Sequence, residues 1–133
     1  MALDQFAGLF TAETLARLFP PTRADQFFAA LFGDASEGAY DIHLAYQGHE
    51  PALDRLRFDL TLTERPGRCL ACNLTYGLPE VFSRHPVINL MGLIAEINTL
   101  LGAAATCTTW KLGATQAISK GLHTIPLTIH LQR

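Results

Sequence analysis

Residues 56–63 read Leu-Arg-Phe-Asp-Leu-Thr-Leu-Thr, and apolar and polar residues alternate throughout the stretch. Successive side chains of a β-strand point to opposite faces, so this pattern predicts a strand with one buried and one wet face. Residues 40–47 alternate in the same way and predict the preceding strand. The sequence Arg-Pro-Gly-Arg at 65–68 favours a tight turn into a third strand, about Cys69–Tyr76, paired antiparallel with the second. Its inward-facing residues would be Leu70, Cys72, Leu74 and Tyr76.

Downstream of these strands, the apolar residues return to a helical period. The stretch Asn89–Leu101 carries a broad apolar stripe and is followed by Gly102, which predicts a long helix that stops there. Two more alternating stretches predict strands at about Thr106–Ala114 and Leu122–Leu131. Pro126 lacks a backbone donor, which favours an edge position for the last strand.

The N-terminal third is helical in its pattern and rich in phenylalanine. A first helix is predicted from about Asp4 to Phe19, with Thr11 as an N-cap at a possible break and Pro20-Pro21 as the stop. A second helix is predicted to start at a capping pair, Thr22 and Asp25, and to end at Gly33. Six of the eight phenylalanines fall in this third, namely Phe6, Phe10, Phe19, Phe27, Phe28 and Phe32.

Together these elements predict one α+β domain over residues 1–133, with N-terminal helices and an antiparallel sheet of about five strands. The long helix lies between strands 3 and 4, which gives the order α-β-β-β-α-β-β. This order resembles the secretion-chaperone-like fold of type III secretion chaperones and YbjN-like proteins. The resemblance implies a homodimer that binds another polypeptide and catalyses nothing.

Composition narrows the classes of partner. Hydrophobic residues make up 49% of the chain and charged residues 17%, a balance typical of globular proteins. A formal net charge of −2 offers no basic surplus for nucleic acid. No apolar run approaches the ~18 residues that span a bilayer, and the N-terminus shows no secretory signal. Three cysteines in such a chain predict free thiols and a cytoplasmic location.

Cys69 and Cys72 form a CxxC motif, the spacing of zinc ligands or of a redox pair. In a strand, however, side chains three residues apart point to opposite faces, so these two thiols could not chelate one ion. The sequence therefore predicts no metal and no cofactor. In the alternative, the pair forms a knuckle at the turn and Cys107 with a histidine completes a metal site.

Two regions are candidate binding surfaces, and no catalytic residue is assigned. The segment Gly77–Pro86 is long for a connection and mixes polar with apolar side chains, which is typical of recognition loops. From this segment the candidates are Glu80, Phe82, Arg84 and His85. From the polar face of the sheet they are His43, Asp59 and His130.

The sequence favours a non-enzymatic protein-binding or chaperone-like module that forms a homodimer. The dimer would use the back of the long helix, where Met91, Gly92, Ala95 and Asn98 leave room for a second helix. The alternative is a small-molecule-binding domain or a small enzyme that uses the polar face of the sheet. A protein partner or a second copy is expected, whereas nucleic acid and membranes are not.

Overall fold

The computed structural model describes residues 6–34, 38–70 and 78–132. After a short 3₁₀ turn at Ala7–Leu9, the helices are α1 (Ala12–Leu18), α2 (Thr22–Phe32), α3 (Leu78–Arg84) and α4 (Leu90–Leu101). The strands are β1 (Tyr40–Glu50), β2 (Arg55–Glu64), β3 (Thr106–Leu112), β4 (Gln116–Ser119) and β5 (Leu122–Gln132).

The break predicted in the first helix occurs at Thr11. Its side chain accepts a hydrogen bond from the Thr14 amide at 3.2 Å and so starts α1. The predicted stop of α2 is also confirmed, because Gly33 adopts a φ of 80°, which glycine tolerates without cost. The predicted capping pair is wrong: Pro21 occupies the N-cap of α2, and no side chain caps that end.

The five strands form one antiparallel sheet in the order β1-β2-β5-β3, with β4 also paired to β5. The α+β class and the five-stranded sheet are confirmed, but the predicted order of elements is wrong. A third strand cannot pair with β2, because β1 and β5 occupy both of its edges. Leu70 is helical, and the rest of that predicted strand, residues 71–76, lies outside the described residues. The resemblance to secretion chaperones rested on the predicted order and has no support from the observed one.

Pro126 does not mark an edge strand, since β5 lies between β2 and the β3/β4 pair. Its ring nitrogen faces the gap between Leu112, where β3 ends, and Gln116, where β4 begins. No ladder donor is needed in that gap. The carbonyl of Pro126 still accepts a hydrogen bond, from the Gly113 amide at 2.8 Å. A proline is therefore accommodated at the centre of the sheet because the neighbouring edge is discontinuous.

One face of the sheet packs against the helices and the other remains open to solvent. Along β2, the inward residues are fully buried and the outward residues are partly or largely exposed. The inward side chains and five of the six N-terminal phenylalanines form one core, whereas Phe32 is exposed. Among the described residues no helix is long and apolar enough to cross a membrane.

Helix α4 starts at Asn89, whose side-chain oxygen accepts a hydrogen bond from the Gly92 amide at 3.2 Å. A β-carbon at position 92 would collide with the Asn89 side chain. Gly92 is therefore explained by this cap, and the helix needs no second helix against it to account for the glycine.

Candidate functional site

The predicted recognition loop is largely a helix. Residues 78–84 form α3, while Gly77 lies outside the described residues. Phe82 is fully buried, and its ring meets the Phe27 ring edge-on with centroids 5.4 Å apart. A side chain in this position is part of the hydrophobic core and is not accessible to a ligand.

His85, the next candidate, is also engaged within the fold. Its Nδ1 accepts a hydrogen bond from the Val87 amide at 3.1 Å, and its ring lies 4.8 Å from the Phe27 ring. Glu80 and Arg84 are exposed on α3. The structure thus distributes these predicted residues between the core and the solvent and does not gather them into a site.

The polar face of the sheet brings together two of its three predicted residues. His43 lies opposite Thr61, and Asp59 lies opposite Ala45, so His43 and Asp59 are diagonal neighbours on adjacent strands. His130 lies opposite Arg55, four positions from Asp59 along β2. That separation, about 13 Å, excludes His130 from a common site with the other two.

The cysteines do not form the predicted set of thiols. Cys69 is disulfide-bonded, so its prediction as a free thiol is wrong, and Cys72 lies outside the described residues. Cys107 is a free, half-buried thiol on β3, and burial raises its pKa. Within the described ranges, no three His, Cys, Asp or Glu side chains converge as metal ligands would.

Among the described strands, β1 is paired on one side only. The Arg65 amide donates to the Ala39 carbonyl at 2.9 Å, which makes these two residues a hydrogen-bonded pair. Bonded and non-bonded positions alternate in an antiparallel ladder, so Ile42 and Leu44 direct their N–H and C=O groups away from β2. In the part of the chain that the structure describes, no group is hydrogen-bonded to them on that side.

A groove of about 360 Å³ runs beside this edge, between β1 and helix α1. Four consecutive strand residues, 43–46, line one wall. Because side chains alternate between faces, four in a row can border a groove only where it follows the strand edge itself. The other wall is formed by Ala12, Leu15, Ala16, Phe19 and Pro21. The small side chains of Ala12 and Ala16 leave the space open.

His43 lines the groove, and Asp59 lies one strand further in, on the same polar face of the sheet. Asp59 is half-buried and accepts a hydrogen bond from Gln47. Burial raises the pKa of its carboxyl group, an effect that nearby Arg57 only partly opposes. The Nε of Arg57 lies 3.5 Å from the Glu50 carboxylate instead. None of the ion pairs among the described residues includes Asp59.

The sequence placed His43 and Asp59 on the polar face of the sheet but gave no sign of the groove. An edge is defined by strand order, and the order here depends on β5 pairing with β2 from far along the chain. One local signal was available: the predicted first strand contains neither proline nor lysine, which commonly protect edge strands.

Comparison of the chain with protein-family models, with curated proteins and with solved structures finds no match.

Proposed function

We propose that this protein binds an extended segment of another polypeptide, which joins the sheet as an added strand beside β1. The observation that carries the proposal is that the backbone groups of Ile42 and Leu44 point away from β2, on an edge where residues 43–46 line an open groove. Strand addition uses such groups for affinity and uses pockets for alternate side chains for specificity.

The walls of the groove suit a single strand. Neighbouring strands lie about 4.8 Å apart, so an added segment would lie at that distance from β1, along the edge that the groove borders. Side chains that it directs inward would meet Leu15 and Phe19, while Ala12 and Ala16 allow its backbone to approach. An apolar side chain buried there contributes about 1.5–3 kcal/mol.

The expected affinity is modest. Ile42 and Leu44 offer two donors and two acceptors, each bond contributing ~0.5–1.5 kcal/mol net. Together with one buried side chain, these terms must offset a cost of association of at least ~4 kcal/mol. At most ~5 kcal/mol remains, which corresponds to a Kd of about 0.2 mM or weaker, so a multivalent format is needed to detect binding.

The homodimer is a separate prediction. The back of α4, which the sequence predicts as the dimer surface, has features that are explained within the monomer. Gly92 is explained by the Asn89 cap, and the Asn98 side chain accepts a hydrogen bond from the Cys107 amide at 2.9 Å. Two copies could instead pair through their β1 edges, which would compete with the proposed ligand.

The test is selection of random heptapeptides from a multivalent phage library, followed by fluorescence anisotropy with the selected peptides. Ala16→Trp fills the groove from an exposed helical position. We expect it to weaken binding by roughly tenfold or more, equivalent to at least ~1.4 kcal/mol. The matched control, Ala30→Trp, adds the same side chain to an exposed position of α2 and leaves binding intact.

Methylation of the peptide backbone nitrogens supplies a second criterion. An added strand uses alternate amides, so methylation at every second position should abolish binding and methylation between them should not. Selected peptides that bind Ala16→Trp as well as the wild type would contradict the proposal. So would a methylation series without alternation.

A further inference from the structure

Pairing rules fix where the side chains of an added strand would lie. Residues directly opposite one another on adjacent strands project from the same face of a sheet. A ligand residue opposite Leu44 would therefore point inward, toward Leu15 and Phe19. Ligand residues opposite His43 and Ala45 would point to the outer face. The segment should thus alternate, with an apolar residue between two polar ones.

A ligand residue opposite Ala45 would lie in line with Asp59, on the far side of Ala45. Ala45 is paired on its other side with Asp59, so the ligand residue, Ala45 and Asp59 form one row across the sheet. The ligand backbone would be about 10 Å from the Asp59 backbone, two strand spacings away. Only the methyl group of Ala45 stands between them. A long side chain can lie over that methyl group and place its head at the carboxylate.

The charge on Asp59 is only partly compensated, by a hydrogen bond from Gln47 and by nearby Arg57. Its carboxyl group is half-buried, and it takes part in none of the ion pairs between described residues. Burial disfavours its ionised form and raises its pKa. Arg57, its nearest cationic influence, is directed to Glu50. A cation arriving from the open side of Ala45 would stabilise the carboxylate without displacing an existing pair.

We infer that the bound segment carries a lysine or arginine opposite Ala45, next to an apolar residue opposite Leu44, and that this cation pairs with Asp59. The inference rests on the proposed strand addition and names the class of ligand for it: an extended, apolar–basic peptide segment.

The experiment is selection from a phage library of heptapeptides with valine fixed at the centre and all other positions random. Four proteins are compared: the wild type, Asp59→Asn, Ala16→Trp and Glu80→Gln. The last removes one negative charge from an exposed residue beside the opposite edge of the sheet and serves as the control. We expect lysine and arginine to be enriched at one position flanking valine on the wild type and on Glu80→Gln, but not on Asp59→Asn.

A selected peptide and its lysine-to-glutamine version then provide a double-mutant cycle. The glutamine peptide should bind the wild type about five-fold more weakly. It should bind Asp59→Asn as tightly as the lysine peptide does. Equal enrichment on the wild type and Asp59→Asn, with selection still lost on Ala16→Trp, would overturn this inference and leave the strand addition standing. Failure of every protein to select any peptide would overturn both.

Discussion

The two outer strands of the sheet, β1 and β3, differ in how much regular backbone they present. The ladder of β1 runs without interruption from Tyr40 to Tyr46 before its register shifts. The ladder of β3 is interrupted between Cys107 and Trp110, and only three residues, 110–112, follow in register. A groove of about 320 Å³ also lies beside β3, so the volume of the groove does not distinguish the two edges. The two edges differ instead in the number of consecutive residues that keep one register.

The β3 edge carries features that prevent the pairing of further strands. Its register is irregular, exposed Lys111 lies near its C-terminal end, and Asn98 of α4 accepts a hydrogen bond from the Cys107 amide. Bulges, lysines and covering groups are common ways of protecting an edge. At Ile42 and Leu44, the β1 edge has no such protection from any residue that the structure describes. Under the proposed function, this difference would direct a polypeptide ligand to β1 and not to β3.

The largest effect is expected from Phe82→Ala, in the helix beside the closed edge. Removing this fully buried ring should reduce the free energy of unfolding by about 3–5 kcal/mol, because it leaves a cavity against Phe27. Urea unfolding followed by circular dichroism measures the change. The neighbouring variant Val81→Ala, at a partly exposed position, should cost much less. A small change in the free energy of unfolding of Phe82→Ala, together with lost peptide binding, would indicate that α3 contacts the ligand.

A smaller effect is expected from Asn98→Ala, which removes a protecting group from the β3 edge. The Cys107 amide loses its acceptor, so the free energy of unfolding should fall by about 1 kcal/mol. Hydrogen exchange at that amide should accelerate at the same time. Thr99→Ala, at the next exposed position of α4, is the control. An unchanged exchange rate at Cys107 would show that Asn98 does not protect this edge.

The smallest effect is expected from Asp59→Asn on stability. Burial raises the pKa of Asp59, so the folded state holds its proton more tightly than the unfolded state does. The ionised carboxylate therefore destabilises the fold at neutral pH, and this cost disappears as the pH falls toward the unfolded value of about 3.9. Asp59→Asn should be slightly more stable than the wild type at pH 7, with the difference vanishing near pH 3. Thermal unfolding across this range measures it.

A variant that is less stable at pH 7 and equally so at pH 3 would contradict the sign of this linkage. The combination of improved stability and weakened binding of a basic peptide would identify Asp59 as a residue retained for binding, since a structural carboxylate would lose stability when neutralised.

Much of the fold was predictable because its signals are local. The alternation at Leu56–Thr63, the apolar stripe before Gly102 and the cap at Thr11 each reflect the geometry of a single element. The errors concern pairing over long distances. The turn after β2 suggested a neighbouring hairpin strand, yet β5 takes that edge from about 60 residues further along the chain.

Of the candidate site, only the residues on the polar face of the sheet could be predicted from the sequence. Alternation alone placed His43 and Asp59 on the polar face, and the register made them neighbours. The groove depends on α1 lying beside an edge that exists only once the strands are ordered. The long segment before α4 looked like a recognition loop because its apolar residues follow no clear period over so few positions. Its helix is stabilised by packing Phe82 into the core, which is a tertiary effect.

The central claim is that the β1 edge is open in the free protein and filled by a ligand. Amide hydrogen exchange measured by NMR at Ile42 and Leu44, with His43 between them as the internal reference, tests it directly. In the free protein, the amides of Ile42 and Leu44 should exchange quickly and that of His43 slowly, because only His43 is bonded to β2. Saturation with a selected peptide should slow both edge amides. Edge amides that are already protected in the free monomer, or that exchange at the same rate with bound peptide, would contradict the account.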